Sequence, residues 1–188
     1  MTRRAPLRIA VAAALLAVFA VVVLAVDQIA KLLVVQNLPF ERPVRVVGDA
    51  LVFYYTRNAG AAFSLGEGVT WIFTLALAAV AVAIVVMVAT GRVRSRAWIV
   101  VLGLLLGGVL GNLTDRLFQE PGFGMGHVID FISTPWLIPA IYNVADSFIV
   151  TMMIGVALLV LLGVRLDGTR ERRGRVQDEE PPADDPEH

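Results

Sequence analysis

Four apolar runs, each long enough to cross a lipid bilayer, constrain this chain most: Ile9 to about Val35, Val69 to Ala89, Ala97 to Leu113 and Asp146 to Val164. A helix rises about 1.5 Å per residue, so roughly 20 residues cover the ~30 Å of hydrocarbon while satisfying their own backbone groups. The 57% apolar content over 188 residues is too high for an ordinary soluble domain. The first run follows Arg3, Arg4 and Arg8, as a secretory leader would. It is too long for one, and it reaches Asp27 and Lys31 without a small-residue cleavage site, which predicts an uncleaved span.

Orientation follows from the basic residues. Arg3, Arg4 and Arg8 precede the first span, Arg92, Arg94 and Arg96 divide the second from the third, and Arg165, Arg170, Arg172, Arg173 and Arg175 follow the fourth. Arginine flanks belong on the cytoplasmic side, so both termini and the middle loop are expected there, with residues 37–68 and 114–143 outside. In the first outer segment (about 40–66), Val44–Val47 and Leu51–Tyr55 are β-rich runs separated by Gly48-Asp49, which predicts a hairpin and a small sheet on the membrane surface. Its Phe53, Tyr54 and Tyr55 either rest among headgroups or pack within the sheet. Gly103, Gly107 and Gly111 recur every four residues in the third span, with Gly108 beside them, which predicts close approach of another helix. Residues 1–165 are thus expected to form one four-helix membrane domain, and 166–188, charged and proline-bearing, a disordered cytoplasmic tail.

The net charge of zero averages arginine-rich flanks with an acidic tail, and nothing supports nucleic-acid binding. The chain has no cysteine, which excludes disulfides, thiolate zinc sites and cysteine nucleophiles. The informative charges are Asp27, Lys31, Asp115, Arg116, Asp130 and Asp146, which border the apolar runs and fall on one side of the threading. Ionisable residues at a membrane mark function by default. Asp27 and Lys31 share a helix face at a favourable spacing for an ion pair, either structural or functional. In GNLTDR, Asn112, Asp115 and Arg116 occupy one turn. Asp115 and Arg116 either staple the helix end, or Arg116 holds a backbone carbonyl or a phosphate.

Asp130, flanked by apolar residues in GHVIDFI, is expected to favour its protonated form. Asp146, opening the fourth span in YNVADSF, either caps that helix or serves as a carboxylate kept ionised by the helix dipole. Two carboxyls whose environments pull their proton affinities apart are what an aspartic protease requires, one activating water and the other polarising the scissile carbonyl. His127 with Asp115 and Asp146 is thin support for a metal site, and Ser64 and Ser147 lack a base. Asn58 and Asn143 are either positioners of substrate backbone or turn residues. The competing classes are an ion or solute carrier, disfavoured because no run carries charge near its middle, and a lipoprotein-binding chaperone.

The ordered motifs DQIAK, TRNAGAAFS, GGVLGNLTDR, HVIDFI and YNVADSFI resemble the lipoprotein signal peptidases, or signal peptidase II, over Ile9 to about Val164. That resemblance implies an all-α integral membrane protein of four transmembrane helices with a small extracytoplasmic β-cradle. It also implies an endopeptidase of the bacterial cytoplasmic membrane that cuts diacylglyceryl-prolipoproteins just before the lipid-modified cysteine, without a cofactor. The family's catalytic aspartates map to Asp130 and Asp146. Its supporting or substrate-binding positions map to Asp27, Lys31, Asn58, Asn112, Arg116 and Asn143. Membrane lipid and globomycin-type inhibitors are the other implied partners. The chain departs from the family in QEPGFGMG, a longer loop between Arg116 and Asp130, and in its charged tail.

Overall fold

A computed structural model describes residues 7–60 and 70–169 of the chain. Its elements run α1 (Ile9–Asn37), β1 (Pro43–Val47), β2 (Leu51–Asn58), α2 (Thr70–Ala89), α3 (Arg96–Phe118), β3 (Val128–Thr134), β4 (Ile138–Tyr142) and α4 (Val144–Leu161). All four helices are long and apolar enough to cross a membrane. Val21 and Val22 of α1, Leu75 and Val82 of α2, and Leu158 and Val160 of α4 are exposed on the bundle exterior, where only lipid suits them.

The third helix is the hub: α1, α4 and α2 all pack on it, while α2 and α4 hardly touch each other among the described residues. Glycine makes this possible. A Cβ on Gly107 would come within 2.6 Å of Val23 Cβ and 2.7 Å of Ala20 O, and one on Gly108 within 2.7 Å of Ala145 O. The four-residue glycine spacing therefore does what it suggested, letting the α1 and α4 backbones close on α3. Leu16, Ala20, Ile84, Val88, Ile99, Leu102 and Leu106 fill the core between the helices.

The predicted hairpin is β1–β2, but it is half of a four-stranded antiparallel sheet in the order β1-β2-β3-β4. The second outer segment supplies the rest, with Asn58 opposite Val128 and Thr56 opposite Asp130. A second core of Val34, Tyr55, Ile129 and Phe131 fixes the sheet on the C-terminal end of α1, which continues to Asn37 to reach it. Tyr55 is buried there and meets Phe40 edge-on, so its aromatic ring packs within the sheet.

Three helix boundaries differ from the expected spans. α3 runs to Phe118 rather than Leu113, so Asp115 and Arg116 lie inside it. α4 begins at Val144, two residues before Asp146. It ends at Leu161, because Gly163 turns to φ 64 and the following N–H groups fold back onto Val160 O and Leu159 O. Beyond it, Leu166 O accepts from the backbone of Arg94 and Ser95, and Trp98 Nε1 donates to Val164 O, tying residues up to Thr169 to the end of the bundle opposite the sheet. The remainder of the expected tail, the first arginines and Ser64 lie outside the described residues.

Candidate active site

Asp27, Lys31, Asn58, Asn112, Asp115, Arg116, Asp130, Asn143 and Asp146 converge at the end of the bundle that carries the sheet. Lys31 is the centre of the deepest part. Its Nζ lies 2.8 Å from Asp27 Oδ2 and 2.8 Å from Asp115 Oδ2, with all three side chains at most 2% exposed. Asp27 sits almost three helical turns inside the end of α1, deeper than the edge of the apolar run suggested, because the helix extends outward to meet the sheet. Its other oxygen accepts the backbone N–H of Ala145 at 2.9 Å, which anchors the first turn of α4. Asp115 accepts the backbone N–H of Ile129 at 3.1 Å, so it joins α3 to β3 as well as to Lys31.

Gln28 was not singled out in the sequence. Its Nε2 donates to Asp27 Oδ2, Asp115 Oδ1 and Gly111 O at 3.1–3.2 Å, shielding two carboxylates that share a single ammonium. The one signal for it was adjacency to Asp27 in DQIAK. Gly111 also has a role beyond packing: a Cβ there would come within 2.6 Å of Asp27 Oδ2, so the glycine makes room for the carboxylate.

Two asparagines connect this charged trio to the remaining aspartates. Asn112 Oδ1 accepts from Lys31 Nζ at 3.2 Å and from Asn143 Nδ2 at 3.1 Å, while its Nδ2 donates to Asp146 Oδ1 at 2.7 Å. Asn143, not Asp146, is the N-cap of α4. Its Oδ1 accepts the Asp146 N–H at 2.9 Å and its own N–H donates to Asp146 Oδ2 at 3.2 Å, a reciprocal capping box. The same Asn143 donates to Asp130 Oδ1 at 2.7 Å, and Asn58 donates to Asp130 Oδ2 at 2.9 Å. Both residues are therefore more than turn formers.

Asp130 is only 2% exposed. Burial, reinforced by the negative charge of Asp146, pushes its pKa up to about 7, against the pull of its amide partners and Lys31. Asp130 and Asp146 line one cleft of about 280 Å³, with Asn58, Asn112 and Arg116 on its polar side and Phe73, Ala76 and Leu77 of α2 on its apolar side. Arg116 is 4% exposed, and its Nη1 donates to Asn58 O at 3.2 Å and Gly126 O at 3.0 Å, the carbonyl-holding role its position suggested. Its Nε has no partner among the described residues. Among the described residues no three histidine or carboxylate side chains converge as metal ligands, and His127 is held instead by its backbone N–H to Glu120 O.

The long loop after α3 is tied down on two sides. Thr74 Oγ1 of α2 donates to Gly124 O at 2.7 Å, and Arg57 of β2 pairs with Glu120 at 2.9 Å.

This arrangement has counterparts. Residues 19–165 match the family described as signal peptidase (SPase) II. Over 158 residues the chain is 51% identical to the lipoprotein signal peptidase of Leifsonia xyli subsp. xyli, covering 84% of this chain and 72% of that one. The lipoprotein signal peptidase of Rhodococcus jostii is 46% identical over 84% of this chain and 77% of its own length. That of Mycobacterium tuberculosis strain H37Rv is 41% identical over 77% and 68%. A solved structure described as a bacterial membrane enzyme, obtained by the in meso method at 2.3 Å, superposes with a TM-score of 0.71 over 94% of this chain and all of that one. It is 24% identical in sequence and corroborates the fold. With four apolar helices, a four-stranded sheet at one end of them and a match running through nearly the whole bundle, the chain belongs to the signal peptidase II family, the membrane aspartic peptidases that process prolipoproteins.

Proposed function

We propose that Asp130 and Asp146 form the catalytic dyad, acting on diacylglyceryl-prolipoproteins and cutting just before the lipid-modified cysteine. The observation that carries this reading is that one residue, Asn143, holds both carboxyls at the wall of one cleft, in environments of different kind. Asp130 lies in the middle of a buried strand, and Asp146 in the first turn of a helix, whose positive end favours negative charge. In the reaction one carboxylate takes a proton from water as the water attacks the scissile carbonyl. The protonated partner hydrogen-bonds the carbonyl oxygen and then supplies the proton that the leaving amine needs.

The remaining residues have supporting roles in this reading. Arg116 and Asn58 present donors along the cleft for the substrate backbone, while Asp27, Lys31, Asn112 and Asn143 hold the dyad in place. The cleft's apolar wall on α2, and the sparse contact between α2 and α4 among the described residues, suit a substrate whose signal helix and acyl chains remain in the bilayer. Both termini are then cytoplasmic and the cleft faces the extracytoplasmic side, in keeping with Arg8, Arg92, Arg94, Arg96 and Arg165 at the opposite end of the bundle. A cyclic peptide of the globomycin type would compete for the same cleft.

A gel-shift cleavage assay tests the proposal, using purified protein with a diacylglyceryl-modified prolipoprotein, its unlipidated counterpart and the Asp130→Asn variant. Cleavage of the lipidated substrate alone, by wild type alone, is expected. Cutting of the unlipidated form at the same rate would remove the substrate assignment.

A further inference from the structure

We infer that Lys31 is a positioning residue for the reaction, working through Asn112 to make Asp146 the carboxylate that takes the proton from water. This rests on the dyad proposed above and specifies how its two members are made unequal.

An asparagine amide is an unsymmetrical connector, because its oxygen only accepts and its nitrogen only donates. Two donors, Lys31 Nζ and Asn143 Nδ2, converge on Asn112 Oδ1. A flipped amide would set its NH2 against an ammonium and another NH2, and its oxygen against the Asp146 carboxylate. Lys31 therefore locks the orientation in which Nδ2 donates to Asp146 Oδ1 at 2.7 Å. A cation at the oxygen end of an amide also draws electron density away from its N–H, which strengthens the donation to an anion. The charge of Lys31 thus reaches Asp146 through a single side chain.

The lysine is itself held in place. Asp27 and Asp115 flank it at 2.8 Å each, and Gln28 bridges the two carboxylates. Asp27 also holds the Ala145 N–H, so the backbone turn carrying Asp146 is registered on the same cluster as its side chain. Among the described residues, the charged groups facing Asp146 are Asp27 and Lys31 from α1, Arg116 from α3 and Asp130 from β3. Among the described residues neither aspartate has an ammonium or guanidinium within bonding distance, but the amide that serves Asp146 carries the Lys31 ammonium on its oxygen. The amides that serve Asp130, those of Asn58 and Asn143, carry backbone N–H groups on theirs. The strand carboxyl is the one left to hold the shared proton.

Removing Lys31 would leave two buried carboxylates unpaired and endanger the fold. Asn112→Asp is the cleaner test. It preserves size and an acceptor oxygen for Lys31 and Asn143, and turns the donor to Asp146 into an acceptor that is negatively charged when ionised. The full chain in lipid nanodiscs is assayed with a diacylglyceryl-modified prolipopeptide, beside wild type and Asp130→Asn. At pH 7 kcat should fall about 100-fold, the scale of a lost acid–base function. KM should stay within about twofold and the thermal midpoint should hold. Relative to wild type, kcat should recover toward pH 5, as the introduced carboxyl takes up a proton and regains an O–H for Asp146. An undiminished kcat at pH 7, or a loss that does not recover in acid, overturns the role of Lys31 and Asn112. Substantial cleavage by Asp130→Asn removes the dyad itself, so the two failures are distinguishable.

Discussion

Asn143 donates its side-chain N–H to Asp130 Oδ1 at 2.7 Å while it caps the helix that carries Asp146. A single residue thereby sets the strand carboxyl against the helix carboxyl, and the spacing of the pair does not depend on loop geometry. Small changes at this junction should be read out directly as changes in turnover.

The first expectation concerns the pair. Asp130→Asn and Asp146→Asn each preserve shape and hydrogen-bonding capacity but remove a proton carrier. Each should reduce kcat by about 10³-fold or more with membrane insertion intact. Gel-shift cleavage alongside size-exclusion profiles of the purified variants measures both.

A pH dependence follows from Asp130. Its pKa is pushed up to about 7, first by burial and then by the charge of Asp146. A carboxyl raised in the folded state contributes stability that is fully present below its unfolded pKa of about 4 and is lost as pH rises through 7. Activity that needs its proton should fall over the upper part of that window. In Asp146→Asn the repelling charge is gone, so the Asp130 titration seen by carboxyl infrared spectroscopy should move to lower pH. An unmoved midpoint would show that the two groups do not sense each other.

The buried trio should dominate stability. Lys31→Met strands Asp27 and Asp115, and should cost about 3–5 kcal/mol in unfolding measurements in micelles. Adding Asp27→Asn and Asp115→Asn to Lys31→Met should recover part of that loss. Equal stability of the single and triple variants would mean that the charges are compensated elsewhere.

Glycine substitutions separate tight from open positions. Gly111→Ala drives a methyl against Asp27 Oδ2, where the clearance is 2.6 Å, and should destabilise by about 1–3 kcal/mol while lowering turnover. Gly122→Ala, with nothing within 4 Å, should behave as wild type. Thermal unfolding and cleavage of both variants test the contrast.

The helices and the two cleft-lining aspartates were legible because each leaves a signal within one stretch of chain. Apolar length marked the spans, arginines gave them an expected direction, and the Gly103–Gly107–Gly111 spacing marked α3 as the packing helix. The hairpin was legible from Gly48-Asp49, but β3 and β4 were not. Asp130 in VIDFIST looked like a charged interruption of an apolar run, whereas pairing with β2 turns that run into a buried strand. The acceptors of Asp27 and Asp115 were equally hidden. Ala145 N–H and the amide of Gln28 become partners only when α1, α3 and α4 converge. The local reading of Asp146 as a helix cap went to Asn143, since either residue satisfies the sequence rule and only the backbone decides which.

The proposed lateral approach of substrate, where α2 and α4 hardly touch each other among the described residues, has a kinetic consequence. A cleft that opens sideways is met by partners diffusing in two dimensions, and the quantity governing encounter is their surface density, not their molarity. Saturation curves recorded at different lipid-to-enzyme ratios should therefore superimpose only when substrate is expressed as mole fraction of the bilayer. Dilution with inert lipid should slow the reaction like a competitive inhibitor, although that lipid never enters the chemistry.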